Sequence, residues 1–152
     1  MGVFKFLLVS GLVVAWVAAN ACDLVAVPIV GSIGKVGDVT LAFGRADDAQ
    51  HPKAWLGPLK ISVGSAPACT VSDAVSIIEK PVMLASGVLY VSTYSGSNNR
   101  LYAVNVKSCR VTWRSGSFQG TTRFQRDMLT LGGERVSLDN DCHPAGGGME
   151  LH

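Results

Sequence analysis

The chain has 152 residues, of which 48% are hydrophobic and 16% charged, and its formal net charge is +2. That balance lacks the basic face that nucleic-acid binding requires, while the apolar content supports one ordinary domain with a real core.

Residues 1–5 carry one positive charge, residues 6–18 are an almost unbroken apolar run, and Ala19-Asn20-Ala21 is a small-residue cleavage site. This is the layout of a secretory signal peptide, and the run is short for a membrane-spanning helix. Cys22 directly after Ala21 raises the alternative of a lipoprotein. A lipid-attachment box places Leu or Val three residues before the cysteine, where Ala19 stands. Soluble export to the periplasm is therefore the reading adopted, with a signal peptide at 1–21, a folded domain at 22–142 and a flexible tail at 143–152. Beyond the leader no run is long and apolar enough to cross a bilayer, and 12 Lys and Arg face 11 Asp and Glu.

Residues 24–30 form a short apolar run ending at Gly31 and fit a buried strand, with Pro28 marking an edge or a bulge. Val39, Leu41 and Phe43 alternate with Thr40 and Ala42, and Leu59, Ile61 and Val63 alternate with Lys60 and Ser62, giving two further strands. Between them residues 45–58 carry charges and turn formers without a period, a loop with Trp55 folded back on the core. Residues 69–74 leave room for one helical turn, and residues 75–84 read as strand around Pro81. Residues 88–93, 101–106 and 109–114 then predict a three-stranded meander. In its first strand Val88, Tyr90, Ser92 and Tyr94 share one face, and Leu89, Val91 and Thr93 the other. In its last, Val111 and Trp113 point one way and Arg110, Thr112 and Arg114 the other. Gly132-Gly133 closes a final hairpin between 128–131 and 135–138. Short strands with turn signals between them predict an all-β class: a single antiparallel domain with blade-like, partial-propeller or barrel sheets, stabilised by disulfides.

Cys22, Cys69, Cys109 and Cys142 are an even set in an exported chain, which predicts two disulfides; all three pairings stay open. Their spacing lacks the close ligand pairs of a zinc site. His51, His143 and His152, and the acidic pairs Asp47-Asp48 and Asp139/Asp141, sit in turn-like surroundings without an orienting partner. Catalysis needs such a partner, so the expectation is a binding protein, not an enzyme, with no metal and no cofactor.

The candidate binding element is the tip between the first two meander strands: Ser95, Gly96, Ser97, Asn98 and Asn99, flanked by Tyr94 and Arg100. Five small hydrophilic residues exceed what a hairpin minimally needs and predict a thin, reachable finger. The competing reading is an ordinary exposed turn, because these residues favour turns for backbone reasons alone. Tyr90, Tyr94 and Tyr102 are interface anchors on one reading and core on the other. Trp55 and Phe124, the latter beside Arg123 and Arg126, are secondary rim positions.

Two family resemblances follow from these residues. The segment LYAVNVKSCRVTWRS resembles one blade of a quinoprotein-type β-propeller, with Leu101-Tyr102-Ala103 and Val111-Thr112-Trp113 in the strand positions. One copy implies blade-like β structure and no quinone. A broader pattern comprises Cys22, Cys69, Ser95-Gly96-Ser97, Leu101 to Asn105, Ser108-Cys109-Arg110-Val111, Arg114, Asp127-Met128-Leu129-Thr130-Leu131-Gly132 and Cys142. It is similar to the periplasmic immunity proteins that neutralise peptidoglycan amidase effectors of the bacterial type VI secretion system. The resemblance implies occlusion of a Cys/His peptidase: a serine-bearing loop enters the substrate groove, and by position Ser97 meets the catalytic imidazole. Asn98-Asn99-Arg100 departs from relatives that carry smaller or acidic residues there. The alternatives are an envelope scaffold or lipoprotein of propeller-like type, or a lysozyme inhibitor.

Overall fold

Glycine-bearing pairs between short alternating runs fold this chain into strands joined by tight turns. The computed structural model describes residues 22–146; the expected leader and the end of the expected tail, 147–152, lie outside them. In chain order the strands are β1 (Val25–Ala26), β2 (Ile29–Val30), β3 (Ile33–Val36), β4 (Val39–Ala42), β5 (Ala54–Trp55), β6 (Lys60–Val63) and β7 (Cys69–Thr70). There follow β8 (Ile78–Ala85), β9 (Val88–Ser95), β10 (Asn98–Asn105), β11 (Val111–Arg114), β12 (Thr122–Phe124), β13 (Met128–Leu131) and β14 (Glu134–Ser137). Among the described residues there is no helix.

The strands make three open antiparallel sheets and no closed barrel. The central sheet runs β1-β8-β9-β10-β11 with β5 also on β8; the second runs β2-β3-β4-β6-β7, the third β12-β13-β14. One face of the central sheet presents Leu89, Val91, Tyr102 and Val104 to Val39, Leu41 and Ile61 of the second sheet. Its other face presents Val88, Tyr90, Leu101 and Ala103 to Leu129 and Leu131 of the third. The middle layer is thus covered on both sides, and β9 is buried without a break from Val88 to Thr93. Burial of both faces is why β9 and β10 carry the unbroken apolar runs 88–91 and 101–104 instead of strict apolar–polar alternation.

Several sequence readings need correction. The run 24–30 is two strands in different sheets, with Pro28 at the crossover between β1 and β2. The loop 45–58 contains β5, which pairs Ala54 and Trp55 with Glu79 and Ile78. Residues 69–74 hold no helical turn; β7 is followed by a single turn closed by the Val75 N–H donating to the Ser72 carbonyl at 3.0 Å. The strand around Pro81 is one element, β8, whose register shifts between Glu79 and Met83, so the proline sits where no ladder bond is required. In β11 a bulge overturns the expected faces. Ala103 pairs Trp113 while Val104 pairs Val111, leaving Thr112 as the extra residue. Val111 therefore joins the core under the second sheet and Trp113 the core under the third. The Thr112 hydroxyl donates to the Ala103 carbonyl at 3.2 Å across the bulge.

Both disulfides form, and the open pairing resolves to Cys22–Cys142 and Cys69–Cys109. The first ties the start of the described chain to its end beside Ala85, Leu24 and Leu138. A sulfur committed to that bond cannot carry the thioether of a lipoprotein. The expected tail begins hydrogen-bonded: Leu138 bridges Pro144, and Ala145 N–H donates to the Ser137 carbonyl at 2.7 Å.

Tyr90 is fully buried, and its hydroxyl donates to the Cys142 carbonyl. Burial, and secondarily the carboxylate of Asp139, push its phenol well above the ordinary value of 10. The folded state therefore holds this proton at a pH where the unfolded chain releases it. Stability is fully present below the unfolded value and is lost as pH rises above about 10. Urea midpoints measured across that range are expected to fall with pH. Tyr90→Phe should flatten the fall and cost about 1–2 kcal/mol at neutral pH for the unpaired carbonyl. A slope unchanged in Tyr90→Phe would remove Tyr90 as its source.

Candidate functional site

The finger is shorter than the sequence predicts. Ser95 pairs with Asn98, so only Gly96 and Ser97 form the turn. Gly96 has φ 64° and Ser97 is not left-handed, the pattern of a type II′ hairpin, whose twist matches that of its strands. The five-residue tip is replaced by a two-residue one because Ser95 and Asn98 gain ladder bonds by extending the strands to the limit.

What makes the tip reachable is where its neighbours stop. The ladder with β8 ends at Ile78 and Thr93, after which one bond remains, Tyr94 N–H to the Ile77 carbonyl at 3.0 Å. On the other flank Asn99 exchanges backbone bonds with Phe118 at 2.8 and 3.0 Å, and its amide nitrogen donates to the Gly120 carbonyl at 2.6 Å. Beyond these two clamps Ser95, Gly96, Ser97 and Asn98 are exposed. The free part reaches about 7 Å past the clamps, at roughly 3.3 Å per strand residue.

The site residues read from sequence thus separate. Tyr94, Ser95, Gly96, Ser97 and Asn98 form an exposed, uncharged tip. Asn99 belongs to its base and holds the 118–120 segment. Arg100 is half-buried, opposite Thr93. Of the tyrosines only Tyr94 is presented, 42% exposed, whereas Tyr90 and Tyr102 are core. Trp55 is core as well, its indole N–H donating to the Gly31 carbonyl at 2.9 Å and its ring 5.1 Å from that of Phe43. Phe124 packs against the core of the third sheet, edge-on to Tyr90. Neither serves as a rim.

Asp47 and Asp48 organise their loop. Asp47 accepts from the N–H groups of Lys53 and Ala54 at 3.0 and 3.1 Å, and Asp48 from those of Gln50 and His51 at 2.7 and 2.9 Å. These backbone bonds lower both carboxyls below the ordinary range. Asp139 likewise accepts from Asp141 and His143, each at 2.9 Å.

An apolar patch next to the finger, Ile77 and Leu56 beside Tyr94, escaped the sequence reading. Among the described residues the large hydrophobics that stand exposed are Val25, Val30, Ile33, Leu56, Ile77 and Tyr94. Of these, Ile77 is placed beside the tip by the Tyr94 N–H, which donates to its carbonyl at 3.0 Å. Ile77 and Leu56 line a cavity of about 450 Å³ with Trp55 at its wall. Val30 and Ile33 stand opposite each other at the Gly31-Ser32 turn, Val30 being 83% exposed. Two β-branched residues around a Gly-Ser pair were a legible signal for that second tip. Nothing local marked Ile77, because Ser76-Ile77-Ile78 reads as buried strand.

Ile77 adopts φ 56°, a left-handed conformation costly to a β-branched residue. Strain of this kind collects at binding sites. In Ile77→Gly, relief of the backbone offsets the lost side-chain contacts, so folding stability should change by no more than about 1 kcal/mol. A destabilisation of several kcal/mol by urea unfolding would instead assign Ile77 to the core.

No family model matches this chain, and neither does any curated protein.

Proposed function

We propose that this protein is a periplasmic immunity protein that binds a peptidoglycan amidase effector of a type VI secretion system and occludes its active site. The observation that carries the reading is the uncharged tip, residues 94–98, projecting past its flanking strands from a sheet packed on both faces. Small side chains and Gly96 fit a narrow substrate groove. A serine hydroxyl both donates and accepts, so Ser97 can satisfy a catalytic imidazole without offering a cleavable bond. Because the hairpin is held at its base by Ile77, Phe118 and Asn99, little ordering is left to do on binding. Tyr94, Ile77 and Leu56 supply the apolar contact around the inserted tip. Two disulfides and the absence, among the described residues, of a helix able to cross a membrane are compatible with an extracytoplasmic location.

The test pairs the chain from Cys22 onward with the peptidoglycan-cleaving product of the neighbouring gene, following muropeptide release from purified sacculi. Equimolar addition is expected to stop release. Undiminished cleavage, or a neighbour without activity on the wall, overturns the proposal.

A further inference from the structure

The charge along the chain is not evenly spread. Residues 98–137 hold Arg100, Lys107, Arg110, Arg114, Arg123, Arg126 and Arg135 against only Asp127 and Glu134. The third sheet concentrates part of this excess on one surface. Its inner face carries Leu129 and Leu131 into the core, so the alternate positions face outward. Register sets Arg123 opposite Thr130, and Thr130 opposite Arg135, a single row across β12, β13 and β14. Glu134 pairs with Leu131 and so falls on the other face.

The two arginines lie two strand spacings apart, about 9.5 Å. Both side chains are long enough to converge above Thr130 between them. They line a shallow cavity of about 530 Å³ together with Gln119, Thr121, Gln125 and Thr130. The lining offers guanidinium, amide and hydroxyl groups, and no described carboxylate answers the two cations there. Two guanidinium forks within reach of one point suit an oxyanion, which accepts paired hydrogen bonds from each. The surrounding hydroxyls and amides match sugar hydroxyls. No aromatic ring lines the cavity to stack on a base, which sets it apart from single-strand nucleic-acid sites.

We infer that the outer face of the third sheet is a binding site for an anionic glycan, with Arg123 and Arg135 clasping a carboxylate or phosphate group over Thr130. This site is separate from the finger and does not depend on the inhibitory reading.

Calorimetric titration at low ionic strength with oligogalacturonate and with a phosphomannan distinguishes the two sources of the anion. Saturable binding to one of them is expected. Arg123→Gln and Arg135→Gln should each weaken it about tenfold, the loss of one charge-assisted pair. Arg110→Gln, outside the cavity, should leave it unchanged. All three are surface changes, and near-UV circular dichroism checks that each variant is folded. Absence of binding to both glycans overturns the assignment. So does an equal loss in Arg110→Gln, which would reduce it to general polycation behaviour, or equally tight binding of an oligothymidylate.

Discussion

If the finger occludes an effector's active site as proposed, Ser97→Trp is expected to weaken inhibition strongly while the protein remains fully folded. Ser97 is exposed at the extremity of the β9–β10 hairpin and does not adopt a left-handed conformation, so the backbone accepts the larger side chain. An indole at that point cannot enter a groove sized for a hydroxymethyl group. A central hot spot carries at least about 2 kcal/mol, and the inhibition constant should rise by about thirtyfold or more. Gly96 makes a poorer test, since its φ of 64° would strain any replacement and mix folding with binding. Full inhibition by folded Ser97→Trp would end the occlusion proposal. Undisturbed glycan binding by the same variant would show that the arginine row works independently of the finger.

The largest effect on stability should come from opening Cys22–Cys142. The bond closes a loop of 120 residues, where chain entropy assigns about 4–5 kcal/mol. That is a large share of the roughly 5–15 kcal/mol holding a typical domain folded. Loss of the bond also frees the segment whose Cys142 carbonyl accepts from Tyr90. Cys22→Ala/Cys142→Ala should therefore be largely unfolded at physiological temperature. Cys69–Cys109 spans 40 residues, and its removal should cost about 1 kcal/mol less. Thermal unfolding of the two double variants gives the comparison, and thiol titration of the denatured, unreduced parent should find no free thiol. Two reactive thiols in the parent, or an unshifted melting curve on losing Cys22–Cys142, would contradict this account.

Legibility in the sequence followed the range of the forces involved. Apolar–polar alternation marked β4 and β6, and short apolar runs bounded by turn residues marked β9 and β10, because such patterns are local and need no partner to be seen. Gly132-Gly133 announced its hairpin for the same reason, since turn type depends on the backbone freedom of the residues in it. The bulge at Thr112 was not legible. It exists because Val111 and Trp113 are drawn to two different cores, and only the second and third sheets define those cores. The finger was found by composition but given the wrong length. Whether Ser95 and Asn98 belong to turn or strand is settled by ladder bonds between them, which composition does not carry.

From sequence alone came the all-β class, the even cysteine set and the position of the exposed tip, since each rests on local periodicity, composition or turn chemistry. Tertiary structure decided which cysteines pair, which tyrosine is presented, and that Arg123 and Arg135 share a row across Thr130. It also brought Leu56 and Ile77, distant in the chain, into the neighbourhood of Tyr94. Each of these is set by which strand lies beside which, and strand order is fixed by burial of the two faces of the central sheet rather than by any short run of residues.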